Sequence, residues 1–434
     1  MSKLQELIQR LCPDGVEYKK LGEVGTFIRG NGLQKKDFTE SGVGCIHYGQ
    51  IYTYYGTFAT ETKSFVSPEM AGRLLAVNPG NLVIACTSEN VEDVGKAVAW
   101  LGNNDVVTGG HSVVFRHNIN PKYVAYFFQT QTFFAQKKKY AYGAKVIDIK
   151  TEDLAKIVIP VPPLEVQEEI VKILDRFAVY AAELQAELQA ELQARKEQYV
   201  YYRNLLLTFN PAGCAGEADD EQEGSVTTRG GHSYPIKWKT MGEIFEMRNG
   251  YTPSKSNNSF WDNGTIPWFR MEDIRENGRI LSDAIQHITP EAVKGKGLFE
   301  ANTFILATTA TIGEHALIIA DSLANQQFTN LKVRKSLSNS FLTKYLYYYM
   351  FIVDEFCKNN TNISGFASVD MGKLKRMLIP VPPLELQEKI VAVLDRFETL
   401  VNDLSEGLPA EIAAVKEQYE YYRNRLLTFK EKTA

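Results

Sequence analysis

The side chains nearest to a recognisable piece of chemistry lie close to the start of the chain, in Pro13-Asp14-Gly15-Val16-Glu17-Tyr18-Lys19. Proline-aspartate followed by glutamate-x-lysine is the pattern with which many nucleases hold a divalent metal that activates water. Those sites carry the two carboxylates on adjacent strands, with a hairpin's worth of residues between them. Here only Gly15 and Val16 intervene, so the segment reads as a turn leading into a strand. The histidines at 47, 111, 117, 232, 287 and 315 have neither H-E-x-x-H nor H-x-E…C-x-x-C spacing and read as surface or core residues. Neither G-x-x-x-x-G-K-[ST] nor a helix-opening G-x-G-x-x-G occurs, so no nucleotide cradle is expected. An adenine amino-methyltransferase needs Asn or Asp before Pro-Pro-aromatic. The Pro-Pro pairs here stand in Val161-Pro162-Pro163-Leu164 and Val381-Pro382-Pro383-Leu384. Cysteines 12, 45, 86, 214 and 357 form no C-x-x-C pair and read as thiols of a reducing compartment.

With catalysis set aside, the remaining polar side chains suit the reading of a polymer. One group comprises Asn31, Gln34, Lys35, Lys36, His47, Tyr48, Gln50 and the run Lys137, Lys138, Lys139. A second comprises Thr252, Ser254, Lys255, Arg270, Thr308, Thr309, Asn325, Gln326 and Gln327. Amides and Arg or Lys pair with base edges, and Lys and hydroxyls suit phosphates. Lys137–Lys139 reads as a solvated helix end that can also touch phosphate. The net charge of −4 argues against a nonspecific polyanion binder. Local basic surfaces remain compatible with it, because Glu217, Asp219, Asp220, Glu221 and Glu223 gather several acids in what reads as a solvated linker.

The elements that must position these residues come in two copies. Ile159-Pro-Val-Pro-Pro-Leu-Glu165 returns as Ile379 to Glu385, and Lys196-Glu-Gln-Tyr-Val-Tyr-Tyr-Arg-Asn as Lys416-Glu-Gln-Tyr-Glu-Tyr-Tyr-Arg-Asn, each 220 residues later. The chain of 434 residues divides into an N-terminal amphipathic helix (1–15), an α/β block (16–155), a long helix (156–209), a linker (210–235), a second α/β block (236–375) and a second long helix (376–434). Within the blocks, Asn81 to Cys86 and Thr303 to Ala307 read as strands, as do runs ending near Arg116 and Arg334. Aromatic amphipathic helices are expected over Tyr123 to Gln136 and Phe341 to Phe356, then loops bearing Gly143 and Gly365. The fold class is mixed α/β (α+β): two blocks separated by two long antiparallel coiled-coil helices, in a tandem repeat with approximate twofold symmetry. The N-terminus lacks the apolar core of a signal peptide, and no run approaches eighteen apolar residues, so a cytoplasmic protein without membrane spans is expected.

The first long helix carries apolar residues at steps of three and four, among them Ile170, Phe177, Leu184, Leu188, Leu192, Tyr199, Tyr202 and Leu206. With Ile390, Phe397, Tyr419 and Tyr422 of the second copy these are the candidate helix–helix and partner-docking positions. Pro163 suits a first helical turn, Glu165, Glu168 and Glu169 suit the positive end of the helix dipole, and Asn210-Pro211 stops the helix. In the second copy Gly407 and Pro409 replace Glu187 and Gln189, which predicts a kink or break. Residues 182–193 read AELQ three times. Each unit adds about 6 Å of helix and about 40° of rotation, so units could be gained or lost without breaking it. Simple helix-favouring low complexity is the alternative reading.

These residues resemble the specificity subunits of type I restriction–modification enzymes. The resemblance lies in the doubled layout of variable block, I-P-x-P-P-L-E-x-Q-x-x-I-V-x-x-L-D-R-F, long helix and K-E-Q-Y-x-Y-Y-R-N-x-L-L-T-F. Block two adds Gly250-Tyr251-Thr252-Pro253-Ser254, Phe260-Trp261, Ile266-Pro267-Trp268 and Asp273-Ile274, similar to the start of a target recognition domain. Block one departs from this, with Gly30-Asn31-Gly32-Leu33-Gln34. The triple AELQ resembles the four-residue helical spacer repeats of one subclass, where repeat number sets the gap between half-sites.

The resemblance implies a non-catalytic subunit that reads double-stranded DNA and binds no cofactor of its own. It implies two methyltransferase subunits carrying S-adenosylmethionine, docked on the long helices, and two restriction–translocase subunits that use ATP and Mg. Two unlike readers in a pseudo-twofold frame predict a bipartite, asymmetric, gapped site. A coiled-coil scaffold whose α/β blocks bind protein or glycan shares the helices but predicts no salt-dependent affinity for DNA. A single-chain restriction–methylation enzyme lacks its motifs here.

Overall fold

The computed structural model describes residues 2–209, 223–227, 233–362, 367–402 and 407–432. Asn210-Pro211, Cys214, the acids Glu217 to Glu221, His232 and Gly365 lie outside them. The chain divides into two compact units: residues 1–189 with 411–434, and residues 190–410. The division passes inside the long helix Leu164–Leu207. Each unit therefore holds one α/β block, the beginning of the helix that follows it and the end of the helix from the other copy.

In the first unit a five-stranded sheet runs in the order Gly25–Arg29, Ser112–His117, Leu82–Ala85, Ala97–Trp100 and Phe58–Ala59. A four-stranded sheet of Ser64–Val66, Val43–Ile46, Val106–Thr108 and Leu75–Val77 accompanies it. Leu82 and Ile84 pack with Phe115, Tyr123, Phe127 and Leu174, whereas Val83 and Ala85 pack with Ile46, Val77 and Trp100. Alternate residues of a strand face opposite ways, so a strand covered on both faces must be apolar throughout. That is why Leu82–Ala85 reads as an unbroken apolar run. Thr303–Ala307 repeats the arrangement in the second unit: Phe304 and Leu306 join the helices, Ile305 and Ala307 the other core. Its five-stranded sheet runs Phe245–Asn249, Phe328–Val333, Thr303–Ala307, His315–Ile318, Ile280–Leu281.

The N-terminal helix is Lys3–Leu11, opened by a capping box between Ser2 and Gln5. It buries Leu4 and Leu7, and Lys3 and Arg10 pair with Glu169 and Glu165 at 2.7 and 2.8 Å. Pro13 to Lys19 forms the expected turn into the strand Tyr18–Lys20, which pairs with Val158–Pro160. Glu17 is occupied by Lys19 at 2.8 Å. Three expectations need correction. The stretch Tyr123 to Gln136 is two helices, Pro121–Phe127 and Gln131–Lys137, because the Thr130 hydroxyl caps the second by accepting from Phe133 N. The linker 210–235 is not wholly irregular, since Glu223–Thr227 pairs antiparallel with the start of Ser233–Thr240. Pro163 stands just outside the helix, its carbonyl accepting from Gln167 N at 3.1 Å. The predicted break is present: the second helix is two pieces, Leu384–Asn402 and Leu408–Leu426.

Each long helix is welded to its own block by the same hardware. Gln167 accepts from Asn120 N and donates to Pro162 O; Gln387 accepts from Leu342 N and donates to Pro382 O. Asp175 accepts from Tyr126 Oη and Lys122 Nζ, both at 2.7 Å, and Asp395 accepts from Tyr348 Oη and Lys344 Nζ. Burial and these acidic neighbours push the Tyr126 and Tyr348 phenols far above the ordinary tyrosine range, so both stay protonated donors.

Helix pairing is antiparallel within the first unit. Ile173 lies near Leu426 and Phe429, Phe177 against Tyr422 at 5.6 Å between rings, and Leu184 near Val415. The chain end closes on the start: Val16 N donates to Lys430 O, Lys432 N to Val16 O and Tyr18 Oη to Phe429 O. In the second unit Tyr202 stacks on Phe397 at 5.7 Å, the Phe177–Tyr422 pair with its two copies exchanged.

Candidate nucleic-acid interface

Three loops meet at corresponding places in the two units. In the first, residues 30–34 follow the strand Gly25–Arg29 and lie against Gly109-Gly110-His111, with Gly110 N donating to Gly32 O at 3.0 Å. The backbones approach so closely that a Cβ on Gly30 would stand 2.3 Å from Gly109 O. In the second, residues 250–254 lie against Asn325-Gln326-Gln327, and a Cβ on Gly250 would stand 2.3 Å from both Ala324 O and Asn325 O. Glycine is required at both positions because no side chain fits between the loops. The third loop begins at Thr87-Ser88 in one unit and Thr308-Thr309 in the other, each paired to the chain after the aromatic helices (Asp148-Ile147; Ser368).

In the second unit the predicted residues converge. Thr252 Oγ1 donates to Gln326 Oε1, and Asn325 Nδ2 donates to Gln327 Oε1 at 3.2 Å. Thr309 is half-exposed beside them, and Ser254 and Lys255 are exposed in the same loop. The tryptophans explain the motif around this loop. Trp268 Nε1 donates to Tyr251 O and Trp261 Nε1 to Ser254 O, both at 3.0 Å, while the two indoles pack edge to face at 5.0 Å. Gly-Tyr-Thr-Pro-Ser is thus pinned at both ends by indole donors from the segments that follow it. Arg270 opens the helix Met271–Asn277, its N–H donating to Asp273, and its guanidinium lies near Glu272 at 3.8 Å. Thr308 is corrected: it is buried, with its hydroxyl bonded to Thr329 Oγ1 at 3.0 Å, and serves the sheet end instead of presenting a contact.

In the first unit Asn31, Gln34, Lys35 and Lys36 are exposed on one loop and its 3-10 turn, and Tyr48 packs at 5.0 Å from the His111 ring. Two candidates are spent on structure. His47 is buried and accepts from Gly49 N through Nδ1, which requires the neutral ring and agrees with a pKa lowered by burial. Gln50 accepts from His47 N and donates to Ser64 Oγ. Both cap the helix Tyr48–Thr53. Lys137 is the sharpest correction. It is 3% exposed and donates to Glu92 O and Val94 O at 2.8 and 2.5 Å, so it ties a loop to its helix and meets no phosphate. Burial lowers its pKa to about 8. Lys138 and Lys139 remain exposed.

A network beneath these loops was not foreseen from the sequence. Asp148 accepts from Arg29 at 2.9 Å and Thr87 at 3.1 Å, His111 Nδ1 lies 3.0 Å from Thr87 Oγ1, and Tyr52 Oη donates to Thr87 O at 2.6 Å. Its one sequence signal is Gly109-Gly110 before His111, whose φ of 66° needs a turn around it. Among the described residues no group of three His, Cys, Asp or Glu is placed to hold a metal, and no helix is long and apolar enough to cross a membrane.

The docking candidates separate into two kinds. Ile170, Ile390 and Tyr199 are buried in the unit cores, where Tyr199 faces Phe397 of the other long helix at 6.4 Å between rings, and present no surface for docking. Phe177, Leu184, Tyr202 and Tyr422 are exposed large apolar residues, and Leu188, Leu192, Leu206, Phe397 and Tyr419 are half-buried. On the same helix Tyr201 and Leu205 are exposed, and Leu207 is in the second unit's core.

The repeated frame, the paired loops and the two long helices define a class, and comparison agrees. The family model for the type I restriction modification DNA specificity domain matches residues 13–194 and 235–414. The chain belongs to that family. It is 50% identical over 203 residues to the type I restriction enzyme EcoprrI specificity subunit of Escherichia coli, covering 45% of this chain and 51% of that one. To the EcoR124I/EcoR124II specificity subunit of Escherichia coli it is 36% identical over 288 residues, 63% of each chain. The matches thus span about half to five-eighths of these relatives. A chain in a solved structure concerning complex assembly and conformational transition of the type I R-M system superposes with a TM-score of 0.68 at 16% identity, over 96% of this chain and 98% of that one. It shares the fold.

Proposed function

We propose that this chain is the DNA-reading specificity subunit of a type I restriction–modification complex and performs no chemistry itself. The observation that carries this reading is the duplication of one unit with unlike reader loops: Thr252, Asn325, Gln326 and Gln327 in one, Asn31, Gln34, Tyr48 and His111 in the other. Amides and hydroxyls on two different surfaces suit two different half-sites, so the target is bipartite, asymmetric and gapped. The apolar groove formed by Phe177, Tyr180, Leu184, Val415, Tyr419 and Tyr422 suits docking of a methyltransferase subunit. S-adenosylmethionine, ATP and Mg belong to two methyltransferase and two restriction–translocase partners in this reading, and the complex works in the cytoplasm. Within the AELQ segment no side chain is buried, so its length is free to act as the spacer.

Methyladenine mapping in a host that expresses this chain with a type I methyltransferase subunit tests the reading. The expected result is one interrupted motif with unlike halves. A palindromic motif, or no methylation of DNA by an active methyltransferase, overturns it.

A further inference from the structure

The two units are not equal in how they can hold a polyanion. In the second, Arg248, Asn249, Tyr251, Lys294, Lys296 and Phe299 line a cleft of about 590 Å³. The Arg248 guanidinium lies 4.5 Å from the Phe299 ring centroid and donates through Nη1 to Lys296 O, while its buried Nη2 has no hydrogen-bond partner among the described residues. Lys294 N donates to Tyr251 Oη at 2.7 Å, and that hydroxyl donates to Ala292 O at 3.0 Å. The basic loop is thereby fastened to the residue preceding Thr252, in the reader loop. Among the described residues Lys294 and Lys296 form no ion pair, and the nearby carboxylate of Glu300 is engaged by Lys332. Gly297, at φ 72°, closes the Lys294–Gly297 turn with its N–H on Lys294 O at 3.1 Å and has open space around it.

The first unit fills the same place with hydrocarbon. Its Ser67-Pro68-Glu69-Met70-Ala71-Gly72-Arg73-Leu74 corresponds to Thr289-Pro290-Glu291-Ala292-Val293-Lys294-Gly295-Lys296-Gly297-Leu298. There Leu33 of the reader loop is 5% exposed and packs with Met70 and Leu74. Ile28 occupies the register position of Arg248: Ile28 is opposite Val114, and Arg248 is opposite Asn330. Arg29, the next residue, is committed to Asp148.

We propose that the Arg248–Lys294–Lys296 cleft binds backbone phosphate of the duplex beside the bases read by the Thr252–Gln326 loops, and that the first unit has no counterpart. The proposal rests on the DNA-reading function above. Two ammonium groups, neither in an ion pair among the described residues, and a guanidinium beside a base-reading loop fix register on the duplex without reading sequence. Binding of the full-length chain to a labelled pool of random-sequence duplexes, followed by anisotropy across a salt series, tests it. The wild type should show log K falling linearly with log salt. K294A/K296A should make that slope shallower by about 1.8, about 0.9 for each phosphate no longer neutralised. K294R/K296R should retain the slope, K294Q/K296Q should lose it as alanine does, and R73A in the first unit should leave it unchanged. The methylated motif should be the same in all. A wild-type slope in both uncharged double variants overturns the proposal and leaves DNA reading intact, as does an equal loss in R73A, which removes the asymmetry. A wild type without salt-dependent binding to these duplexes also overturns the phosphate cleft, whereas the DNA reading itself fails only if methyladenine mapping shows no interrupted motif.

Discussion

At the scale of single residues, buried polar groups lock the interior of each unit, and their protonation sets a pH limit. His315 is fully buried with Nδ1 2.7 Å from Asp354 Oδ2, and Arg279 lies 3.4 Å from the same oxygen. His315 Nε2 has no partner among the described residues, so a proton there would be a buried charge without an acceptor. Burial lowers the His315 pKa, and it lowers that of His117 to about 4. Both fall below the unfolded value near 6.5, so above that pH neither state takes the proton and nothing is lost. Below it the unfolded chain binds protons that the folded chain refuses, so stability should fall with pH, by about 1.4 kcal/mol per unit for His117 between about 6.5 and about 4. Thermal midpoints at pH 7 and pH 5 check this; equal midpoints would refute it. Asp354→Ala removes the partner of the buried His315 Nδ1, while Arg279 keeps the His315 carbonyl at 3.0 Å, and should cost about 2 kcal/mol in denaturant unfolding. Gly250→Ala drives a methyl into two carbonyls, so the loops must part and DNA binding should drop at least tenfold by anisotropy, a loss of about 1.4 kcal/mol.

At the scale of elements, the repeated lead-in to each long helix is a joint. Gln167 and Gln387 each satisfy a backbone N–H and a backbone carbonyl from inside the protein, which requires an amide with both a donor and an acceptor. Gln167→Ala and Gln387→Ala should each cost about 2 kcal/mol, and Gln167→Glu should not rescue, because it restores the acceptor without the donor. Urea unfolding of the four proteins measures this, and a glutamate variant as stable as wild type would contradict the joint. The helices themselves were legible from periodicity, caps and prolines, and so was the break at Gly407 and Pro409. The split at Thr130 was not, because a threonine between aromatic residues is also a normal helix-interior residue. The side-chain oxygen decides the matter only once Phe133 N is in reach.

At the scale of the whole molecule, the repeat is used twice in a crossed manner. The end of each copy's helix completes the unit of the other copy, with Leu427 in the first core and Leu207 and Phe209 in the second. The AELQ run supplies neither core with a buried residue, and only Leu192 near its end rests, half-buried, against the second. Deleting one unit brings the equivalent leucine of the preceding unit to that place, so thermal stability should stay nearly unchanged. In the proposed spacer role the deletion should shorten the unread gap of the methylated motif by one or two base pairs, from about 6 Å of helix against about 3.4 Å per step. A gap unaltered in the methylome of the deletion strain would remove the spacer role, and a collapse in stability would show that the run is packed after all.

The sequence by itself determined the doubled plan, the strands that had to be apolar on both faces, the long helices and the break in the second. These follow from local periodicity, turn chemistry and repetition, which a linear string records. Only the tertiary structure decided which polar candidates stay at the surface and which are mortar. Lys137, His47, Gln50 and Thr308 resemble the exposed candidates in type, yet each is drawn into capping or bridging groups that become neighbours when distant segments meet. Lys294 gained its place the same way, through a tyrosine 43 residues away in the chain, and Arg248 through the Lys296 carbonyl and the Phe299 ring. Burial and hydrogen bonding are properties of that meeting, and residue type alone does not carry them.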